Sequence, residues 1–163
     1  TAGYFPMGAV IVNKEFADEF NEILEQSGEF PHGFTAGGHP VGCAIALKVI
    51  DVIINEGLLE NVKTISPYFH KRLNEFNKYE HIGETRGKGL MAALEMVKNK
   101  ETKESFESHL NMGDKIANMA LDNGLICRPL GPAIVLCPQF IITKSQIDDM
   151  FDMLHDTLKK AFN

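Results

Sequence analysis

Apolar and polar residues recur along this chain with periods that predict helices separated by a few short strands. An uninterrupted apolar and β-branched run at positions 8–12 predicts a buried strand. The next segment, from Lys14 to about Gln26, has helical spacing, a capping Asn13 and a terminating Gly28. A glycine-rich loop then leads into a second predicted helix, which runs from Pro40 to about Glu56.

The second helix is unusual because almost no polar face is left between Val41 and Ile54. Its apolar side chains surround the helix instead of forming one stripe. A soluble protein must cover such a helix on every side. We therefore expect this element to pack between two layers or between two domains.

At Leu58 the pattern changes to that of a compact α+β domain. The predicted elements are an amphipathic helix at about 59–78, a strand-like segment at 82–97, a helix at about 105–123, strands at 125–129 and 133–137, and a last helix. Within the strand-like segment, Gly87-Lys88-Gly89 indicates a bulge or a close backbone approach. The last helix starts at the capping box 143–146 and ends at about Phe162. The predicted fold class is α/β overall, with an α+β small domain at 58–163. Residues 1–57 are predicted to be the end of a larger domain, because one strand and two helices cannot close a core.

Composition and charge narrow the range of partners. The net charge of −6 and the absence of a Lys or Arg block argue against nucleic acid and anionic membranes. No apolar stretch approaches the roughly 20 residues that a membrane-spanning helix needs, and we expect no signal peptide. Cys43, Cys127 and Cys137 lie in apolar surroundings without metal-ligand spacing. We therefore predict buried thiols, no disulfide and a cytoplasmic protein.

The run HGFTAGGHP at positions 32–40 is the strongest candidate for a binding site. Its glycines permit close approach and positive φ, Thr35 offers a hydroxyl, and the helix that starts at Pro40 offers N–H groups at its positive end. This combination suits a phosphate, and the alternative is a flexible loop in front of a buried helix. A metal held by His32 and His39 is less favoured than hydrogen bonding of both histidines within the loop.

Arg128 is the second candidate, because it stands in the apolar segment at 125–129. A guanidinium is costly there unless it meets an anion, and its planar fork matches a carboxylate. Binding of a substrate carboxylate is the favoured interpretation. The alternative is an arginine at a strand edge that pairs with a nearby Asp or Glu.

These motifs resemble those of one family in the same order. The run at 32–40 is similar to the HG[FY]T[YF]SGHP segment of class III, fold-type I aminotransferases that depend on pyridoxal phosphate, and positions 1–10 resemble the stretch just after that family's Schiff-base lysine. The later matches are RGKGLM at 86–91, GLICRP at 124–129, CP at 137–138 and IIT at 141–143. The nearest subgroup is the ω-transaminases, which take an amine or ω-amino acid and an α-keto acid such as pyruvate.

The resemblance implies a role for four residues. Phe34 and Thr35 would bind the cofactor, with the Thr35 hydroxyl and N–H holding its phosphate from the neighbouring subunit of a homodimer that shares its active sites. Arg128 would be the mobile arginine that binds the substrate carboxylate, and Tyr4 would border the active site. The sequence departs from the family's pattern near Arg128, where Pro132 and Gln139 replace the usual polar residue and proline. Arg86 and Lys88 would belong to a structural turn.

No catalytic residue is assigned within this chain. The family's Schiff-base lysine is expected upstream of Thr1, and so are the residues that contact the pyridine ring. We therefore expect the chain to be the C-terminal part of an aminotransferase and to be inactive alone, with weak or absent binding of pyridoxal phosphate. The alternatives are a non-catalytic α+β module for dimerisation or interaction, and a mutase or decarboxylase of the same fold.

Overall fold

A computed structural model describes residues 1–28 and 32–162 and divides the chain into two compact units, Thr1–Glu56 and Gly57–Asn163. Within those described residues, no helix is both long and apolar enough to cross a membrane.

The first unit contains two helices, α1 (Lys14–Ser27) and α2 (Pro40–Asn55). The side chain of Asn13 accepts a hydrogen bond from the N–H of Phe16 at 2.8 Å and so caps α1. Gly28 ends α1 in the left-handed region, and its N–H donates to the carbonyl of Leu24 at 2.8 Å. These local signals gave the correct bounds of both helices within a residue or two.

The buried strand predicted at 8–12 is wrong, because these residues form no strand and are exposed. Val10 and Ile11 each expose 93% of their surface. A strand needs a neighbouring strand for its backbone hydrogen bonds, and the described residues of the first unit provide none. The apolar surface of α2 is also uncovered in the first unit, where Val41, Leu47, Ile50 and Ile54 are exposed.

The second unit packs helices against a four-stranded antiparallel sheet. In chain order the elements are α3 (Leu58–Asn74), a 3-10 turn at Glu75–Lys78, β1 (Ile82–Lys88), β2 (Met91–Met96), α4 (Met112–Asp122), β3 (Arg128–Leu130), β4 (Ala133–Leu136) and α5 (Lys144–Phe162). The sheet order is β1-β2-β4-β3, so that β3 is an edge strand.

The core lies between one face of the sheet and the helices α3, α4 and α5. Alternation along the strands turns Leu94, Ile134 and Leu136 into it, and each of these side chains is buried. Burial of one such side chain contributes roughly 1.5–3 kcal/mol. The other large, fully buried residues are Phe69, Leu73, Phe76, Ile82, Met96, Ile116, Ile147, Phe151, Leu154 and Leu158.

The structure corrects the bounds of several predicted elements in this unit. The helix expected at about 105–123 begins only at Met112, because Asn111 adopts a left-handed φ of 43° that no continuous helix accepts. Residues 82–97 form a hairpin, and Gly87 confirms the predicted close approach, since a Cβ there would lie 2.2 Å from the Met91 carbonyl oxygen. The strand expected at 125–129 is displaced to β3, because the N–H of Leu125 still bonds to the C-terminal turn of α4.

The prediction of three buried thiols is wrong for Cys137. Cys43 and Cys127 are half-buried and Cys137 is exposed, and all three are free. Cys137 follows Leu136, whose side chain faces the core, so alternation turns the next side chain away from it. Burial raises the pKa of the Cys127 thiol.

Candidate functional site

The candidate phosphate loop is a tight turn that leads directly into α2. The N–H of Gly37 donates to the carbonyl of Phe34 at 2.8 Å, which closes a turn around Thr35. Phe34 has a φ of 49° and Gly38 a φ of 66°, so the backbone enters the left-handed region on both sides of Thr35. Thr35 itself is exposed.

Two histidines hold this turn in shape. Nδ1 of His32 accepts a hydrogen bond from the N–H of Phe34 at 3.0 Å, and the two rings lie 4.4 Å apart. The N–H of His39 donates to the carbonyl of Ala36 at 3.3 Å, and Nδ1 of His39 accepts from the N–H of Gly42 at 3.5 Å as the cap of α2. Within the described part of the chain, no group of His, Cys, Asp and Glu is arranged to hold a metal ion.

The first residues of the chain form a compact turn against the start of α2. The N–H of Tyr4 donates to the carbonyl of Thr1 at 3.0 Å, and the Thr1 hydroxyl donates to the carbonyl of Phe5 at 2.5 Å. The ring of Phe5 lies 5.0 Å from that of His39, between centroids. Tyr4 projects outward, with 82% of its surface exposed. The structure therefore brings Tyr4 and the end of the candidate phosphate loop into one region of the first unit.

Arg128, in the second unit, is the first residue of the edge strand β3 and is exposed. It pairs in the sheet with Val135, which pairs in turn with Ala93. Its neighbours Ile126 and Leu130 are apolar and exposed. Within residues 1–28 and 32–162, Arg128 takes part in no ion pair, so the alternative of a strand-edge pairing is not realised there.

Arg86, on β1, is ion-paired, whereas Arg128 forms no ion pair with the described residues. The Arg86 guanidinium forms ion pairs with Glu95 and, at 3.2 Å, with Glu84. The hydrogen bond that Arg86 donates to the Glu95 carboxylate raises the pKa of Arg86, so its charge is fixed. The structure thus gives Arg86 a place in a cross-strand charge network of the hairpin.

Sequence reasoning missed the contact between Phe5 and Gly42. Gly42 is buried, and a Cβ placed on it would lie 2.8 Å from Cε1 of Phe5. A glycine in the first turn of an apolar helix was the available signal, because glycine is disfavoured in helices unless close packing requires it.

The comparisons with known proteins identify the family. The model of the family described as aminotransferase class-III matches residues 1–158. This chain belongs to the class III aminotransferases.

Among its relatives, the putrescine–pyruvate aminotransferase of Pseudomonas aeruginosa is 42% identical over 162 residues, which cover 99% of this chain and 34% of that protein. The crystal structure of the PMP-bound form of an aminotransferase from Vibrio fluvialis matches with a TM-score of 0.89 and 55% identity, over 99% of this chain and 36% of that one. An omega-aminotransferase from Paracoccus denitrificans matches with a TM-score of 0.90 and 55% identity, again over 99% of this chain and 36% of the other.

The chain thus spans about a third of the length of the relatives that it matches. Its helices and small antiparallel sheet match the C-terminal part of the fold-type I aminotransferases. This confirms the predicted fold class.

Proposed function

We propose that this chain is the C-terminal part of a pyridoxal-phosphate-dependent ω-transaminase that transfers an amino group between an amine or ω-amino acid and an α-keto acid such as pyruvate. The observation that carries the proposal is that Arg128 is exposed and takes part in no ion pair with the described residues. An unpaired, planar cation among apolar neighbours suits the carboxylate of a keto acid. The putrescine–pyruvate activity in the name of one relative supports the same substrate classes.

The residues of the candidate phosphate loop fit a phosphate dianion. The turn around Thr35 offers a hydroxyl beside the N-terminus of α2, where backbone N–H groups and the helix dipole favour negative charge. No Asp or Glu occurs between His32 and Ile50, so no like charge opposes the ligand from within this segment. Thr35 would hold the phosphate, and Phe34 would set the turn that presents the hydroxyl.

Each of the other assigned residues would have a distinct task. Arg128 would bind and orient the carboxylate of the acceptor, and its side chain would leave that position when an uncharged amine binds. Tyr4 would border the substrate space beside the start of α2. Pyridoxal phosphate, when bound, supplies the electron-withdrawing ring that the exchange of amino groups requires. The Schiff-base lysine would lie ahead of the position of Thr1.

We further propose a cytoplasmic homodimer in which Thr35 serves the partner's active site. The uncovered apolar surface of α2, together with Val10 and Ile11, supports an extensive covered interface in the assembled enzyme. Three free thiols are typical of a reducing compartment. Residues 1–57 would belong to the large cofactor-binding domain and 58–163 to the small domain, which agrees with the boundary between Glu56 and Gly57 in the structure.

The proposal is tested on the protein expressed from its complete coding sequence. We expect it to carry pyridoxal phosphate and to form alanine from pyruvate when an amine such as putrescine is supplied. We expect the 163-residue polypeptide by itself to show neither cofactor absorbance nor alanine formation. Product formation by decarboxylation or by migration of the amino group, without alanine, would instead establish the decarboxylase or mutase alternative.

A further inference from the structure

Gly42 is the only buried residue among the described residues of the first unit, and Phe5 is what covers it. Around Phe5, residues 2–4 and 6–16 are all exposed, whereas Phe5 itself is partly buried. This ring therefore anchors the first turn of the chain to α2.

A larger residue at position 42 would force the Phe5 ring to shift. A Cβ there would lie 2.8 Å from Cε1 and 2.9 Å from Cδ1 of Phe5, which is closer than any real Cβ contact. Alanine is intrinsically preferred to glycine in a helix, so helix propensity does not explain the glycine. Close approach of the ring does explain it.

The same ring reaches the candidate phosphate loop through His39. Phe5 and His39 lie 5.0 Å apart, between ring centroids, with an interplanar angle of 37°. His39 caps α2 with its side chain and holds the turn around Thr35 through its own N–H, which donates to Ala36. A displacement of Phe5 would therefore shift His39 and, through His39, the turn around Thr35.

We infer that Phe5 and Gly42 are positioning residues that set the place of the Thr35 turn relative to the start of the chain. The inference rests on the proposed function, in which the start of the chain borders its own active site and Thr35 serves the partner's. The Phe5–Gly42 contact then fixes, within one chain, the spacing between the parts that serve the two active sites. Loss of the contact would therefore weaken cofactor binding at the partner's active site.

The test measures binding of pyridoxamine phosphate, which is held without a covalent bond, by the protein expressed from its complete coding sequence. Because overpacking displaces the ring, we expect Gly42→Ala to weaken this binding by about tenfold or more. The double variant Gly42→Ala with Phe5→Leu, which restores space, should bind more tightly than Gly42→Ala alone. Wild-type affinity of Gly42→Ala, or strictly additive losses in the double variant, would overturn the inference.

Folding is checked by helical content and by the mass of the dimer. If Gly42→Ala yields no folded protein, Phe5→Ala decides, because it removes the contact by creating space instead of a clash. Unchanged binding of pyridoxamine phosphate by folded Phe5→Ala overturns the inference, and a loss of about tenfold supports it.

Mixed dimers show in which of the two active sites Gly42→Ala weakens the binding of pyridoxamine phosphate. Consider a dimer of one Gly42→Ala chain and one Thr35→Ala chain. If Gly42 acts through the Thr35 turn that serves the partner's active site, each of the two active sites is served by a turn that one of the substitutions impairs. We then expect no site of wild-type affinity. One wild-type site per mixed dimer would place the effect of Gly42→Ala in its own chain's site and overturn the inference. A wild-type protein that neither binds pyridoxamine phosphate nor transaminates would refute the proposed function itself.

Discussion

Arg86 and Arg128 lie on the same face of the sheet, in one row that crosses all four strands. The row runs from Arg128 through Val135 and Ala93 to Arg86, each paired with the next. Residues that are opposite each other in an antiparallel sheet project to the same side. Arg86 is neutralised by Glu84 and Glu95 at one end of the row, whereas Arg128 has no ion pair with any described residue at the other.

This difference gives a prediction for the two arginines. We expect Arg128→Ala to lower kcat/KM for pyruvate by roughly 10- to 100-fold, because a hydrogen bond between charged groups contributes about 1.5–3 kcal/mol. The kcat/KM for an uncharged amine should change by less than about threefold, because that substrate has no carboxylate. Steady-state kinetics of both half-reactions measure the two effects.

Arg86→Ala is the matched control. Its charge is already engaged by Glu84 and Glu95, so its removal should leave kcat/KM for pyruvate close to that of the wild type. A loss for pyruvate as large as that of Arg128→Ala would contradict the assignment of the carboxylate to Arg128.

A second prediction concerns the hydroxyl of Thr35. We expect Thr35→Ala to weaken binding of pyridoxamine phosphate by roughly 10- to 100-fold, because a hydrogen bond to a charged phosphate is lost. Thr35→Ser keeps the hydroxyl and should bind within a few-fold of the wild type. Equilibrium dialysis of the intact protein separates the two variants, and equal losses in both would show that the hydroxyl is not what matters.

The third prediction concerns Arg72, which connects α3 to α5. Its guanidinium forms ion pairs with Asp148 and, at 2.6 Å, with Asp152, and Tyr68 donates a hydrogen bond to the same Asp148. The Nε of Arg72 lies 3.4 Å from Glu75 at an angle that makes an ion pair without a hydrogen bond. The hydrogen bond from the Tyr68 hydroxyl is the largest cause that lowers the pKa of Asp148, and the hydrogen bond and charge of Arg72 lower it further.

Arg72 is mostly buried, with 13% of its side chain exposed, whereas Asp152 exposes 68%. Arg72→Met keeps the packing of the stem but removes the ion pairs of a mostly buried guanidinium and leaves Asp148 with only the hydrogen bond from Tyr68, so we expect the free energy of unfolding to fall by about 2 kcal/mol. Asp152→Asn should cost less than about 1 kcal/mol, as exposed pairs usually do. Hydrogen exchange of peptides from α3 and α5 in the intact protein measures both, and equal losses would refute the distinction.

The fourth prediction is a pH dependence of the second unit. His155 is buried against Phe76, with the two rings 3.9 Å apart, and its Nδ1 lies 2.9 Å from the Tyr79 hydroxyl oxygen. Desolvation lowers the pKa of His155, Lys78 lowers it further, and Glu75 partly opposes them. The unfolded chain therefore binds a proton more readily than the folded chain.

Because the unfolded state takes up more protons, stability at this site is lost as the pH falls below the unfolded value of about 6.5. We expect α5 to exchange faster at pH values below about 6 than at neutral pH, after correction for intrinsic rates. His155→Phe retains the stacking on Phe76 and should remove this part of the pH dependence. An unchanged profile in His155→Phe would assign the effect to the carboxylates.

Local sequence signals predicted the start of α1 and the start of α5 correctly, because a cap involves only neighbouring residues. Asn13 caps α1 as expected, and Thr143 and Gln146 form the predicted capping box, in which the N–H of Thr143 donates to the Gln146 side chain at 2.9 Å. The turn between the two short strands at 131–132 was also found, since Gly131 and Pro132 determine it locally.

Apolar runs misled where the outcome depends on a distant partner. Positions 8–12 have the composition of a buried strand, but a strand requires another strand to receive its hydrogen bonds. The late start of α4 could not be predicted from the apolar spacing either, because helical spacing continues through Asn111 although the backbone of that residue is left-handed.

The caps of α1 and α5, the family and the candidate residues Phe34, Thr35, Arg128 and Tyr4 could all be read from the sequence, since each is carried by a short run of neighbouring positions. Which polar groups are paired depends on the tertiary structure: Tyr68 and Asp148 are 80 positions apart, yet they are hydrogen-bonded. The tertiary structure alone also decided that Phe5 closes over Gly42, and that Arg86 and Arg128 share one row of a sheet. Such contacts depend on register and packing across the fold, and no local pattern encodes them.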